Sequence, residues 1–388
     1  MMEKKLNFAL NTFLYWAIIT MYIWAARDFG SIPSYVSLAL RLVLQVISFT
    51  LILGKDVNVK KGFMYKLVVF WMIYTTVITC LNPHPPRELS ENLWWPSIFI
   101  LFYHIAAYPR LIHKFFNRTL IKLFIGAFLF FPFTYMAFGY SEMHATNYVF
   151  FISLLFPLLF FVKEKKRYIY YVIGLLISVL AFKRSGMLIA ATAGAVITWY
   201  DFIKAKDRNS GTKKMMSVIF VLAMVCVFIA VDNYTGGHMS ERFSSIEEDG
   251  GSGRDIIFEY VILRFQKLNL IDQIFGLGFN GVMNHEWFEL RQGVFISAHN
   301  DFLEVLCDFG YIGSVMYLIF IINIIMNIRK IFKYSLNLYK ANVMSILIFL
   351  ITSMVSHLFI YPTYYAFLMI LWAVTSYYLV NKKATCKL

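Results

Sequence analysis

The apolar residues of this chain are gathered into runs long enough to cross a bilayer. Residues 32–53 set the pattern, with Arg41 their only charge. A spanning helix needs roughly 20 residues at about 1.5 Å rise each. Comparable runs cover 6–26, 32–53, 63–81, 93–109, 119–138, 146–162, 168–182, 185–202, 215–232, 300–328, 343–360 and 363–380, the fourth carrying Pro96 and His104. Hydrophobic residues make up 60% of the chain, charged ones 15%, and the mean hydropathy is +0.64. A soluble domain cannot wet that much apolar surface. The pattern predicts an all-α polytopic membrane protein: about twelve transmembrane helices forming a single transmembrane domain over 1–388. A long extracytoplasmic loop, 233–299, is inserted between spans 9 and 10.

The net charge of +14 points to topology rather than to nucleic acid, because the basic residues sit in short loops. With the N-terminus inside, inner segments hold 24 of the 36 Lys and Arg residues. The short outer loops hold only Arg27, Arg87, Lys183 and Arg184. That bias places both termini in the cytoplasm and 233–299 outside. The Met1–Lys5 start feeds a span with no small-residue cleavage site, so no cleavable signal is expected. Cys80, Cys226, Cys307 and Cys386 have no motif spacing, and neither a disulfide framework nor a zinc site is expected. Cys226 and Cys307 read as membrane-core residues and Cys386 as a tail residue.

The outer loop is the one segment with room for its own structure. Gly236–Gly253 is rich in Gly, Ser and acid and reads as flexible; Glu247, Glu248 and Asp249 read as a solvated acidic stretch rather than a cation site. Ser252 and Asp255 form a capping pattern ahead of 256–268. Ile256, Phe258, Val261, Ile262, Phe265 and Leu268 give this helix a broad apolar face, so a short amphipathic helix is predicted there. No internal repeat is visible, which takes weight from a repeat-built transporter.

Gly276, Gly278 and Gly281 spell GxGxxG. A dinucleotide fingerprint needs a strand before it and a helix after it, so these read as turn glycines. Arg41, mid-span with Gln45 one turn away, faces either a wet cavity or a neighbouring helix. Lys183 and Arg184 follow a span of only fifteen residues, which reaches about 22 Å of a ~30 Å core. Their turn is expected to sink below the surface, where the pair either attracts a lipid-borne anion or snorkels to headgroups. Arg254 falls in the first turn of the 252–268 helix, where exposed N–H groups favour anions; an ordinary solvated arginine is the alternative. His299–Asn300 opens the tenth span, and Asp301, Glu304 and Asp308 follow at helical spacing. Three carboxylates there should line a wet cavity or stand above the bilayer. A histidine at such a rim can exchange protons near neutral pH, or can be merely structural. Arg291, elsewhere in the outer loop, is a further candidate cation, and His357 is the next candidate base.

The run from His299 to Gly313 resembles the HNxxLxxLxxxGxxG signature of the O-antigen polymerase and ligase family (Wzy and WaaL). Lys183-Arg184-Ser185-Gly186 resembles that family's basic step at the outer end of a span. Gly253-Arg254, followed by Ile274–Phe279, resembles its GR…PxxGxGxG stretch, with the proline replaced around Asp272–Ile274. The resemblance covers roughly 180–315.

The resemblance implies a metal-independent, inverting glycosyltransferase of the cytoplasmic (inner) membrane, acting at its outer face without a cofactor. The donor would be an undecaprenyl-diphosphate-linked oligosaccharide. Arg184, Arg254 and Lys183 would bind the diphosphate; His299 would be the general base; Asn300, Asp301, Glu304, Arg291 and Arg41 would line the cavity. Membrane lipids and a chain-length regulator protein are the implied partners. The expected activity is polymerisation of repeat units into a surface polysaccharide. The alternatives are a ligase that moves glycan onto lipid A–core, and, from another class, a lipid-linked glycan flippase or other transporter. Transporters place their charges near the midplane, whereas here they cluster at the outer end, with Arg41 the exception. A reporter fused after Asn209 should behave as cytoplasmic and one after Gly250 as external; the reverse at either site would overturn the orientation.

Overall fold

In the computed structural model the chain runs through α1 (Met2–Ala26), α2 (Ile32–Leu53), α3 (Phe63–Leu81), α4 (Pro86–Asn92) and α5 (Trp94–Ile105). It continues through α6 (Pro109–Lys114), a π-helical turn (Phe115–Thr119), α7 (Leu120–Phe138), α8 (Val149–Ser153) and a 3-10 turn (Phe156–Phe161). Then come α9 (Glu164–Leu180), α10 (Arg184–Thr198), α11 (Gly250–Gln266), α12 (Leu270–Phe275) and α13 (Gly281–Asn284). The last three are α14 (Asp301–Ile331), α15 (Leu336–Val355) and α16 (Pro362–Asn381). The structure describes residues 2–54, 56, 59–82, 86–138, 146–203, 250–284 and 297–381, with isolated positions between 215 and 244.

The chain is an all-α polytopic membrane protein. Among the described residues, seven helices are long and apolar enough to cross a membrane. The expected twelve spans differ in instructive places. Residues 146–162 are a short helix followed by a 3-10 turn, because Pro157 donates no N–H and its ring obstructs a continuing α-helix. The fourth run shrinks to Trp94–Ile105: Pro96 sits harmlessly in its first turn, and Pro109 holds Tyr108 extended. The run 215–232 lies mostly outside the described residues, as do Glu247–Asp249 and Arg291.

α5 and α16 form the centre. Every residue of α5 is buried, and α16 is buried almost throughout from Pro362 to Tyr378. Both are apolar on all sides, the pattern of a helix enclosed by others rather than one with a lipid face. By contrast α2 exposes Val43, Val46 and Leu53 along one side.

α14 is broken at Gly310, whose φ of 62° and ψ of −164° are open to glycine and costly for other residues. The break frees carbonyls just before it, and other segments take them. Leu277 N–H donates to the Cys307 carbonyl (3.0 Å), Gly278 N–H to that of Asp308 (2.8 Å) and the Tyr74 hydroxyl to that of Phe309 (2.8 Å). The GxGxxG loop is thus a docking loop, its glycines serving close approach as well as turning. A Cβ on Gly276 would lie 2.3 Å from the Asp308 carbonyl oxygen, and one on Gly310 would lie 2.4 Å from that of Ile274. The Asp308 carboxylate completes the clasp by accepting from Asn280 N–H (2.8 Å) and Gly281 N–H (2.7 Å) at the start of α13.

Gly276→Ala should therefore cost several times more than Gly30→Ala. Both have positive φ (88° and 86°), but Gly30 has nothing within 4 Å of a built Cβ. Left-handed strain alone is worth about 1–2 kcal/mol. Thermal melting in detergent should show a small loss for Gly30→Ala and a gross one for Gly276→Ala; equal losses would refute the clasp.

Candidate active site

His299 has a left-handed backbone, φ 52°, and the chain turns through it into α14. Asn300 caps that helix, its side-chain oxygen accepting from Phe302 N–H (2.9 Å) and Leu303 N–H (3.2 Å). Asp301 is fully buried and accepts from Leu358 N–H (2.8 Å), Phe359 N–H (2.9 Å) and the Ser353 hydroxyl (2.6 Å). These bonds anchor the turn between α15 and α16 against the start of α14. That turn carries His357, whose ring centroid lies 4.7 Å from that of His299 and 4.6 Å from that of Tyr361. Ser297 Oγ stands 3.4 Å from His357 Nδ1.

The expectation that the carboxylates line a wet cavity is corrected for Asp301 and Glu304, and Asp308 shares their state: all three have 0% exposure. Each is sealed in because each accepts backbone N–H groups, Glu304 that of Ala298 at 2.5 Å. Glu304 Oε2 is left without a partner. Asn300 is a helix cap.

The basic residues arrive from two other segments. Phe182 is left-handed (φ 51°), and the turn that follows is held by Thr146 N–H to the Ala181 carbonyl (3.1 Å) and by Lys183 Nζ on Asn147 Oδ1. Lys183 also lies over the Phe150 ring. Gly186 lets α10 close on α8, since a Cβ there would meet Val149 at 2.8 Å. Arg184 is half-buried at the first position of α10. The preceding helix runs Glu164–Leu180, starting four residues before the expected 168.

α11 begins at Gly250, so half-buried Arg254 lies in its second turn rather than its first. The buried face of α11 keeps Val261, Phe265 and Leu268 of the expected set and leaves out Ile256 and Ile262. Val261 and Phe265 pack with Leu277, Val282, Ala298 and Cys307, supported by Ile257, Leu268, Leu303 and Leu306, while Ile256 is 66% exposed. Leu303 and Leu306, the leucines of the HNxxLxxL run, thus seat the arginine-bearing helix on α14.

Burial, then the positive charges of Arg254 and Lys183, hold His299 below the ordinary histidine value. Burial, then His299, Lys183 and Arg254, lower His357 further. Both imidazoles are therefore neutral near pH 7, and His299 can accept a proton while cations stand near it. Arg41 pairs with Glu91 (3.5 Å) beside a separate cavity at this end of the bundle. A larger cavity, about 640 Å3 and lined by Tyr65, Tyr103, Arg329 and Lys330, opens at the opposite end, away from the histidines.

Sequence reading singled out His299, Arg254 and Lys183, and these meet. It named His357 only as a substitute for His299, and it missed Asn147 and Tyr361. Only topology pairs these with the others; no local spacing marks them.

The fold and this histidine–cation cluster define a polytopic membrane protein with a half-buried histidine near two cations at one end of its helices. Residues 169–318 match the family model described as O-antigen ligase (Wzy_C), consistent with a Wzy/WaaL-like family. The match contains Lys183, Arg184, Arg254 and His299 and supports, in broad terms, a part in surface-polysaccharide biosynthesis with glycosyltransferase-like activity. No curated protein matches the chain.

Asp301→Ala should orphan two buried amides and lower stability by roughly 3 kcal/mol, against about 1 kcal/mol for loss of the Asn300 cap. Melting of the two variants in detergent tests this; an Asp301 loss no larger than that of Asn300 would remove it as the anchor of the His357 turn.

Proposed function

We propose that the protein polymerises lipid-diphosphate-linked oligosaccharide repeat units into a surface polysaccharide, by inverting glycosyl transfer at the outer face of the membrane. The observation that carries this reading is a neutral, half-buried histidine with Arg254 and Lys183 bearing on it. The acceptor hydroxyl oxygen bonds to the donor's anomeric carbon, and the C–O bond to the undecaprenyl diphosphate breaks. The diphosphate leaves with the bonding electrons, and His299 takes the hydroxyl proton. Arg254 and Lys183, with Arg184 at the adjoining helix start, match the charge that builds on the leaving group, so the step needs no metal. Positioned base catalysis contributes about 10²–10⁴ in rate.

The test is elongation of the host's lipid-diphosphate-linked oligosaccharide by the purified protein. His299→Ala should leave expression and donor binding near normal and abolish elongation. Loss of a charge-assisted bond in Arg254→Lys or Arg184→Lys should cost roughly 10–150-fold in donor binding, because lysine lacks the planar fork. The lowered value of His299 keeps it neutral to lower pH, so activity should fall only once pH drops below the ordinary histidine range. Arg254→Gln removes a cation, lets the histidine value rise and should move that acid limb to higher pH. An His299→Ala variant with full activity would sink the assignment. Transfer of finished glycan to lipid A–core without elongation would replace polymerase by ligase.

A further inference from the structure

A second cavity opens at the His299 end of the bundle, and the reaction described above does not use it. Its volume is about 390 Å3, within the usual range of small-molecule sites. α1, α2 and α4 form one side of it; the docking loop, through Asn280 and Met283, and the start of α16 form the other. Its polar lining includes Arg41, Arg87, Glu91 and Asn280, and its aromatic lining includes Trp24 and Tyr361.

Three features say what this cavity suits. First, its charges are largely matched: the one carboxylate, Glu91, pairs with both Arg41 and Arg87, at 3.5 and 3.0 Å, which leaves a single net positive charge, less than a diphosphate requires. Second, donors and acceptors are interleaved. The guanidinium groups only donate, Glu91 only accepts, and Asn280 and the lining Thr20, Ser34 and Ser37 can do both. Arg41 is buried within a span, and its Nε has no hydrogen-bond partner. Burying a charge at that depth is costly and is usually retained for function. Third, aromatic faces flank the polar groups: Trp24 packs edge-on to Phe29 and Tyr361, at 5.3 and 5.6 Å. A ligand suited to all three carries little charge, is rich in hydroxyls that both give and take hydrogen bonds, and has apolar C–H faces. A saccharide has those properties.

The cavity is joined to the histidine pair by a row of packed rings. Tyr361 lines it, and the Tyr361 ring touches His357, which touches His299. Burial, with the carboxylates Glu304 and Glu91 on its two sides, raises the Tyr361 phenol, which keeps it a neutral donor.

We propose that this cavity is a saccharide subsite, holding the acceptor sugar whose hydroxyl reaches His299 past Tyr361. The assignment to the acceptor rests on His299 being the base; the binding of saccharide does not.

The test uses the full-length protein in detergent and the free repeat-unit oligosaccharide, released from its lipid diphosphate by mild acid. Trp16 and Trp24 line the cavity, so intrinsic fluorescence reads binding directly. Wild type and His299→Ala should both titrate. Arg41→Gln and Glu91→Gln should weaken binding at least tenfold and raise the acceptor KM equally, with the donor KM unchanged within twofold. Ser34→Trp, which fills the cavity without touching the ion pair, should do the same if the charge variants do not fold. Binding that survives Ser34→Trp overturns the subsite, as does competition by inorganic pyrophosphate, which would make it a phosphate site. If His299→Ala still elongates chains while the oligosaccharide titrates normally, the base assignment falls and the saccharide subsite stands. If His299→Ala is inactive and no oligosaccharide binds, the subsite falls and the base stands.

Discussion

The architecture of the site depends on one broken helix turn. At Gly310 the backbone leaves helical geometry, and the freed carbonyls of Cys307, Asp308 and Phe309 are taken by Leu277, Gly278 and Tyr74. A buried carbonyl left unpaired is expensive, so the docking loop and the kink stabilise each other. The consequences spread from there. The loop brings Asn280 beside Glu88 of α4 (3.2 Å), and its Leu277 and Val282 form part of the floor on which α11 and Arg254 sit. The same break tilts the first part of α14, with His299 at its head, relative to the remainder of the span.

Strain is concentrated around this end of the molecule. Of the four non-glycine residues with positive φ among those described, Phe182 precedes the basic turn, Asn280 closes the docking loop and His299 heads α14. Each is held by neighbours that over-determine it: the Thr146 and Asn147 contacts, the Glu88 and Asp308 hydrogen bonds, and the Asn300 cap with the Asp301 anchor. Such positions persist where surrounding bonds outweigh a cost of order 1–3 kcal/mol, and they recur at sites that need fixed geometry. The three buried carboxylates are part of that scaffold. They orient backbone, and the protein keeps them out of water to do so.

The HNxxLxxLxxxGxxG run now has a physical reading at each position. His299 turns the chain, Asn300 caps, Leu303 and Leu306 seat α11, Gly310 breaks the helix, and Gly313 admits close packing against Phe309 and Tyr74. Gly186 of the Lys183–Gly186 step likewise permits contact with Val149. Much of what resembles a catalytic signature is thus a folding signature.

Sequence alone determined the membrane class, because apolar runs of about twenty residues admit no soluble fold, and most span limits, because Gly, Pro and charge end helices locally. It also pointed to His299, Arg254 and Lys183, which carry their chemistry in their own side chains. Tertiary structure decided the rest. Broken helices such as 149–161 look like spans when only hydropathy is read. The buried face of α11 was set by what α14 presents to it, so the expected Val261 and Phe265 are buried with Ile257 beside them, while the expected Ile256 and Ile262 are left exposed. Asp301 and Asp308 looked solvent-bound because their N–H partners come from distant segments. His357 met His299, and Arg41 met Glu91, only through the packing of helices far apart in the chain, and residue type carries no record of such long-range contacts.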